Sequence, residues 1–458
     1  MRAFTGKRVA VIGAGRSGVA AAHALARRAA QVEVFDKKPY TELPHAHTLT
    51  EQGILLHAQT DAPASLQGYD LVVVSPGVPP RHPIFALAEA AGVPVWSEIE
   101  LGYQIARAPI IAITGTNGKT TTTILIHHIL QTMGLRAHLC GNIAGIGDEQ
   151  TLTDAAERAA PDEWLVAEVS SFQLLHTHAF RPHIAVITNI RHDHLDYHGT
   201  WEAYALAKAK ILTNQTPDDW AVLNEGDAGV QWLLGLGSPQ GSGGEGTRLF
   251  FAVSSPFVEL SGIKLNIAEL PKPALQGTHG LENALAAATV ASILGCTPEQ
   301  LRSALESFKG VPHRMEFVGE WEGVRYINNS MCTNADALEK SLQATPKPCL
   351  VIAGGVDKND SIPQLAESLA RHAAHVLLIG RDGAAIGAAL DALGYTRWQY
   401  VGDLSSAVAE ALRLARRGDT VILAPGCASF DQFRNFAERG EQFKRFVREV
   451  LACGSPIS

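Results

Sequence analysis

Short apolar runs alternate with longer amphipathic or alanine-rich stretches along most of the chain. Arg8–Ile12, Gln31–Phe35, Leu71–Val74 and Val93–Trp96 read as strands, with an alanine-rich helix over Gly18–Arg28. The pattern restarts with a strand at Ile110–Thr114 and a helix from about Lys119 to Met133. It continues through strands at Leu165–Val169 and Ile184–Ile187, helices at Trp201–Leu212 and Leu281–Leu294, and a Gly/Ser-rich surface loop over Gly235–Gly246. A third set predicts strands at Leu350–Ala353, Val376–Ile379 and Val421–Leu423, with a helix over Ala407–Arg417. Strands separated by helical segments imply parallel, doubly wound sheets.

The expected fold is therefore α/β, with three consecutive α/β domains at 1–97, 98–311 and 312–458. The first and last read as Rossmann-like, and the middle one as a P-loop ATPase-like, mainly parallel sheet. A chain of 458 residues suits three domains at roughly 150 residues each. Gly310–Pro312 punctuates the second boundary.

Composition narrows the classes. The chain is 46% hydrophobic and 18% charged, enough to bury real cores. Its formal charge of −8 offers no basic footprint for nucleic acid. No apolar run approaches the ~20 residues of a membrane span, and the opening segment turns into glycines without a signal-peptide cleavage site. Six cysteines are scattered with no CxxC, which suits a reducing compartment. A cytoplasmic protein acting on small molecules as a monomer is the expectation.

The most informative segment is Thr114-Gly-Thr-Asn-Gly-Lys-Thr-Thr-Thr122, between an apolar strand and a helix. Backbone N–H groups of such a loop converge on phosphate oxygens, and the helix dipole adds to them. Gly115 and Gly118 allow close approach, Lys119 would neutralise phosphate charge, and the Thr120 hydroxyl would ligate Mg²⁺. Ile113 stands where the first glycine of GxxxxGK[ST] would be, so this loop is shorter. Glu168 ends a second apolar strand, and Asp193, His194 and Asp196 follow a third. Acidic and imidazole groups at the carboxyl ends of parallel strands gather at one crevice, although each alone reads equally as a polar loop residue.

Gly13-Ala-Gly-Arg-Ser-Gly18 is a GxGxxG turn after a strand, and Asp36 follows the next strand at the spacing of a ribose-binding acid. Alone, this pair predicts NAD and a dehydrogenase.

The whole chain resembles the ATP-dependent Mur ligases of peptidoglycan synthesis. The marks are Thr114–Thr120, Gly141-Asn142, Glu168-Val-Ser-Ser-Phe-Gln173, Asp193-His-Leu-Asp196, Tyr204-Ala-Leu-Ala-Lys208, His313-Arg314, Gly354-Gly-Val-Asp-Lys358 and Cys427-Ala-Ser-Phe-Asp-Gln-Phe-Arg-Asn-Phe436. The resemblance implies amide-bond formation through an acyl phosphate, with ATP, UDP-N-acetylmuramoyl-L-alanine and D-glutamate as substrates and two Mg²⁺ ions as cofactors. It implies ATP contacts from Gly115, Thr116, Asn117, Gly118, Lys119, Thr120, Thr121, Asn283, Arg314 and Asn329. It assigns the uridine-diphosphate substrate to Arg16, Ser17, Asp36, Lys37, Lys38, Ser75, Gly77, Asn142, Ser170 and Gln173, and the amino acid to Thr333, Lys358, Ser429 and Phe436. Lys119, Glu168, His194 and Lys208 become catalytic residues, and Thr120, Glu168, His194 and Lys208 metal-site residues, with Lys208 carbamylated. Read without the resemblance, Lys208 is a solvated lysine on a helix. Lys210, two residues on, is expected to face elsewhere.

Three departures from the family pattern stand out. Asn329-Ser-Met-Cys-Thr-Asn334 replaces the usual Asp-Ser-Lys-x-Thr-Asn, His279-Gly280 replaces His-Asn, and Arg191-His192 precede Asp193. Loss of a cation at Met331 leaves a Mur-type ligase with another amino-acid substrate as the alternative.

Overall fold

A computed structural model describes residues 4–143, 150–236, 245–272, 274–275, 277–357 and 361–453. The described residues divide into two compact units, the first running to Phe308 and the second beginning at Lys309. The first unit holds two parallel sheets and a two-stranded antiparallel ribbon, Phe257–Leu260 with Ile263–Asn266, and the second holds one large mixed sheet.

The first sheet has the order Leu55–Ala58, Gln31–Asp36, Arg8–Ile12, Leu71–Val74, Val95–Ser97, every pair parallel. Strand order reverses beside Arg8–Ile12, which places a crevice at the carboxyl ends of Arg8–Ile12 and Leu71–Val74. The first helix begins at Arg16, two residues before the position predicted from the sequence, and ends at Ala26. Gly18 lies inside it because a Cβ there would stand 1.8 Å from the Gly13 carbonyl.

The second sheet runs Thr247–Phe251, Trp220–Asn224, Ile184–Ile187, Ile110–Thr114, Trp164–Glu168, Ala137–Gly141, again all parallel. Its central strand is buried throughout. Alternation sends Ile111 and Ile113 to one face and Ile110 and Ala112 to the other. The first face packs on Leu125, Ile126 and Ile129 of helix Lys119–Thr132 and on the alanines of helix Gly277–Ile293. The second packs on Leu152, Ala155, Tyr204 and Ala205. Both faces being covered, the strands read as unbroken apolar runs.

The third sheet runs Glu316–Trp321, Val324–Asn328, Thr420–Leu423, Cys349–Gly354, His375–Ile379, Trp398–Gly402. Only its first pair is antiparallel, with a register shift between Phe317 and Gly319. Here the predicted helix at Ala407–Arg417 lies over Leu404–Leu414, because Asp403 caps it by accepting from Ser406 N.

Candidate active site

The loop after Ile110–Thr114 is held by the neighbouring strand end. Thr116 N donates to Asn189 O at 2.9 Å, and Asn117 N donates to Asn189 Oδ1 at 2.9 Å. Thr188 Oγ1 and Asn189 Nδ2 both donate to Asn117 O, at 2.7 and 3.1 Å. The loop is thus clamped from the strand beside it, leaving the helix N-terminus at Lys119 as an anion-binding end. Gly118 holds φ 82°, and a Cβ there would meet Asn283 Oδ1 at 2.3 Å. Asn283 Oδ1 also accepts from Thr122 Oγ1 at 3.2 Å, joining the loop helix to helix Gly277–Ile293. Lys119 Nζ donates to Thr116 O at 2.9 Å, so its ammonium lies folded over the loop. Thr121 is half-buried in the first turn.

Glu168 ends the strand next to the loop. Its Oε2 accepts from Thr120 Oγ1 at 2.6 Å and its Oε1 from Asn142 Nδ2 at 3.4 Å. A carboxylate and a hydroxyl at this spacing are hard oxygen donors suited to Mg²⁺. Lys208 is 2% exposed. Its ammonium donates to Gly115 O at 2.8 Å and lies 4.6 Å from the Tyr204 ring centroid. Burial, reinforced by the Lys119 charge, pushes its pKa well down, while Asp193 and Glu168 oppose the shift. Tyr204 OH shares a hydrogen bond with Thr116 Oγ1 at 3.0 Å. Burial raises the Tyr204 phenol to about 12, keeping it protonated.

His194 takes a left-handed conformation at φ 52°, with its ring 4.8 Å from Phe172 and a 3.7 Å approach to Asp193. Among the described residues no cluster of three or more His, Cys, Asp or Glu side chains forms a ready metal site. Thr120 and Glu168 fit an ion, whereas Lys208 as an ammonium does not. The Arg191 departure has a local reason, since its guanidinium pairs at 3.1 Å with the buried Asp227.

Ser170 and Gln173 are buried and bond mainly to each other. Ser170 Oγ donates to Gln173 Oε1 at 2.9 Å, and Gln173 N donates to Ser170 Oγ at 3.3 Å, a capping box for helix Ser171–Leu175. Lys210 faces elsewhere than Lys208, as its place two residues on implies. It is half-buried and donates to Leu175 O at 2.6 Å, closing the end of that helix.

In the first sheet Asp36 shapes the glycine turn: Ala14 N donates to one carboxylate oxygen at 2.7 Å and Lys38 N to the other at 2.9 Å. Ser75 Oγ donates to Gly13 O at 3.2 Å. Ser17 is half-buried on the turn, and Lys37, Lys38 and Gly77 are exposed around it. Arg16 Nη2 donates to Gly141 O at 3.3 Å and Ile143 O at 2.9 Å, next to Asn142.

In the second unit Arg314 is exposed, and Asn329 is buried with both amide atoms engaged. Met315 N donates to its Oδ1 at 3.1 Å, and its Nδ2 donates to Ser341 Oγ at 2.6 Å. Thr333 is half-buried and Ser429 buried. The Phe436 ring meets His313 edge-on at 6.2 Å. Lys358 lies outside the described residues. Sequence reasoning missed Arg439, which is 1% exposed and donates to Ser330 Oγ at 3.0 Å, Ser330 O at 3.1 Å and Cys427 O at 3.1 Å. It draws two strand ends together, and burial pushes its pKa down to about 10. Its place just past Phe436 was the one available signal. Tyr204, which sits within a quoted motif, and Asn189, which follows strand Ile184–Ile187, were also missed as candidate site residues.

A phosphate-type loop, a strand-end carboxylate and a buried lysine on parallel α/β sheets define a nucleotide-dependent enzyme. Three family models cover the chain: Mur ligase MurD-like, N-terminal domain over residues 7–97, Mur ligase middle domain over 113–291, and Mur ligase, glutamate ligase domain over 313–427. The chain belongs to the Mur ligase family, enzymes that use ATP to form C–N amide bonds in peptidoglycan synthesis.

Its relatives include the UDP-N-acetylmuramoylalanine–D-glutamate ligase of Pelotomaculum thermopropionicum, 40% identical over 98% of each chain. That of Bacillus subtilis is 38% identical over 94% of this chain and 95% of its own. Among solved structures, the UDP-N-acetylmuramate-alanine ligase of Thermotoga maritima shares the fold with a TM-score of 0.53 and 20% identity, over 97% of this chain and 99% of its own. The folylpolyglutamate synthase of Mycobacterium tuberculosis does so at 0.53 and 17%, over 76% and 92%. The glycine turn at Gly13–Gly18 therefore belongs to a ligase, and the dehydrogenase reading falls.

Proposed function

We propose that this ligase adds D-glutamate to UDP-N-acetylmuramoyl-L-alanine, as the names of its relatives state for them. The observation that carries the chemistry is the pairing of Thr120 with Glu168 at 2.6 Å, beside a loop built for phosphate. ATP transfers its γ-phosphoryl group to the substrate carboxylate, giving an acyl phosphate and ADP. The amine of the amino acid attacks the acyl carbon, loses a proton, and phosphate leaves as the amide forms. Lys119 and the loop N–H groups stabilise charge on the transferring phosphoryl.

Mg²⁺ would be held by Thr120 and Glu168, supplying neutralisation of phosphate charge, with a second ion near His194 and Lys208. Burial that lowers the Lys208 pKa favours the free amine over the ammonium, and the amine's lone pair can add to CO₂ and release a proton. The resulting carbamate is anionic and oxygen-bearing, the form of Lys208 that could ligate a cation. Arg314 and Asn329 would serve ATP, and Thr333, Lys358, Ser429 and Phe436 the amino acid. The nucleotide-sugar would lie at the glycine turn, with Arg16, Ser17, Lys37, Lys38, Ser75 and Gly77 around it and Asn142 near its far end. We assign the three domains to 1–97, 98–311 and 312–458 and place the enzyme in the cytoplasm as a monomer. Among the described residues no helix is long and apolar enough to cross a membrane.

The test is phosphate release with UDP-N-acetylmuramoyl-L-alanine and a panel of amino acids. D-glutamate should support the fastest turnover. Faster turnover with L-glutamate, or with a neutral or basic D-amino acid, would refute the choice of substrate and leave the ligase intact.

A further inference from the structure

The short segment carrying Arg314 is held in a conformation that the chain would not choose unaided. His313 and Met315, on either side of Arg314, both have positive φ, 61° and 46°. Non-glycine residues persist there only where surrounding contacts over-determine them.

Those contacts come from three elements. His313 N donates to Glu316 Oε2 at 2.9 Å, Met315 N donates to Asn329 Oδ1 at 3.1 Å, and Met331 N donates to His313 O at 3.0 Å. The His313 ring is buried against Gly440 of helix Phe436–Cys453, where a Cβ would stand 2.2 Å from His313 Nδ1.

The amide of Asn328 fixes the ring's protonation. Asn328 Oδ1 accepts from Ser330 N at 3.2 Å, which leaves its NH₂ group facing three acceptors, Glu316 Oε2 at 2.9 Å, His313 Nδ1 at 3.0 Å and Gly440 O at 3.4 Å, and its two hydrogens go to the two nearer ones. A donor aimed at Nδ1 requires that nitrogen to be unprotonated, so the neutral ring carries its hydrogen on Nε2. Nε2 faces Glu441 Oε1 at 3.6 Å. Lys444 Nζ bonds Glu316 Oε1 at 3.0 Å and Glu441 Oε1 at 2.7 Å. Burial and the Lys444 charge lower the His313 pKa, against the opposing pull of Glu316 and Glu441.

We propose that Asn328 and Gly440 are positioning residues for Arg314: together they seat a neutral, Nε2-protonated His313 ring and so hold the Arg314 guanidinium ready for a nucleotide phosphate. The proposal rests on the reading of Arg314 as an ATP contact. It also gives the buried Asn329 a positioning part, because its carbonyl oxygen fixes Met315.

Gly440→Ala pushes the ring off its seat, and Asn328→Asp replaces the donor at Nδ1 with an acceptor. Should either variant fail to fold, the other carries the test. Each should raise KM for ATP roughly tenfold, the loss expected for one bond to a charged group, and by more than it raises KM for the amino acid, whose expected contact Phe436 meets the same ring. Nitrogen-15 NMR of the full-length enzyme should show His313 neutral and protonated at Nε2, with a changed tautomer in Asn328→Asp. Arg314→Ala separates the two readings. If it raises KM for ATP while both seat variants leave it unchanged, the positioning role falls alone. If Arg314→Ala leaves KM for ATP unchanged, the ATP reading of Arg314 falls and takes the positioning role with it. An Nδ1-protonated ring in the native enzyme would overturn the seat itself.

Discussion

Lys208 donates to the carbonyl of Gly115 at 2.8 Å, so a buried ammonium rests on the backbone of the phosphate loop itself. Replacing it with methionine should separate stability from function. The folded pKa of Lys208 lies below its ordinary value. From that lowered value up to the unfolded one the unfolded chain binds the extra proton, so this group makes stability rise with pH through the window. In CO₂-free buffer near neutrality, Lys208→Met should melt higher than the native enzyme and should lose at least about 100-fold in turnover. Thermal unfolding and phosphate release check both halves, and carbon-13 NMR with labelled bicarbonate should show a carbamate in the native enzyme only. A native enzyme fully active with an unmodified ammonium would refute the metal role.

Lys210 should behave differently although it is two residues away. It bonds Leu175 O rather than the phosphate loop, so Lys210→Ala should lower stability by about 1 kcal/mol, the typical worth of such a bond, and leave turnover near native. Urea unfolding alongside the phosphate assay makes the comparison.

Lys119→Ala should lower phosphate release by about 10²–10³-fold, as expected for one stabiliser of transferring charge. Its circular dichroism should match the native enzyme. Native turnover in this variant would show that the loop does not act on the phosphoryl group.

Ser170 has two competing roles, and a single substitution distinguishes them. Loss of a capping hydroxyl costs about 0.5–2 kcal/mol, so Ser170→Ala should shift the denaturation midpoint. If the midpoint is unmoved and KM for the UDP-substrate rises, the side chain serves the ligand rather than helix Ser171–Leu175.

Asp36→Ala removes the acceptor for both Ala14 N and Lys38 N. Each bond to a charged group contributes roughly 1.5–3 kcal/mol. The glycine turn should loosen, raising KM for the UDP-substrate at least about tenfold with KM for ATP unchanged, measured in the same assay.

What the sequence disclosed follows from burial. Ile110–Thr114 and Ile184–Ile187 are covered on both faces, so they appear as plain apolar runs and were located to the residue. Glu316–Trp321 is a half-exposed edge bent by a register shift, and Leu55–Ala58 carries a histidine in four residues. Neither has a clear period, and both passed unread. The same division holds at the site. Lys119 and Thr120 announce themselves through local spacing, whereas the Lys208 contact with Gly115 joins positions distant in sequence. Asp36 was legible as important, but its bonds to the turn's own backbone were not, because a ribose-binding acid and a turn-holding acid share one position. Lys210 faces elsewhere than Lys208 as expected, but its bond to Leu175 O was not legible, because a lysine stem can cross a half-buried surface and leave its ammonium on a distant carbonyl.

The packing of Gly118 against Asn283 carries a consequence for how such a chain can change over time. A Cβ at 118 would stand 2.3 Å from Asn283 Oδ1, and the backbone there holds φ 82°, so a side chain at 118 is opposed twice over. Shrinking the neighbour at 283 removes only the first objection. Position 283 can therefore vary alone, while 118 stays bare. Lineages that remodel the N-terminal end of helix Gly277–Ile293 must do so around an immovable glycine, and a fixed glycine beside a freer neighbour is the historical trace this contact should leave.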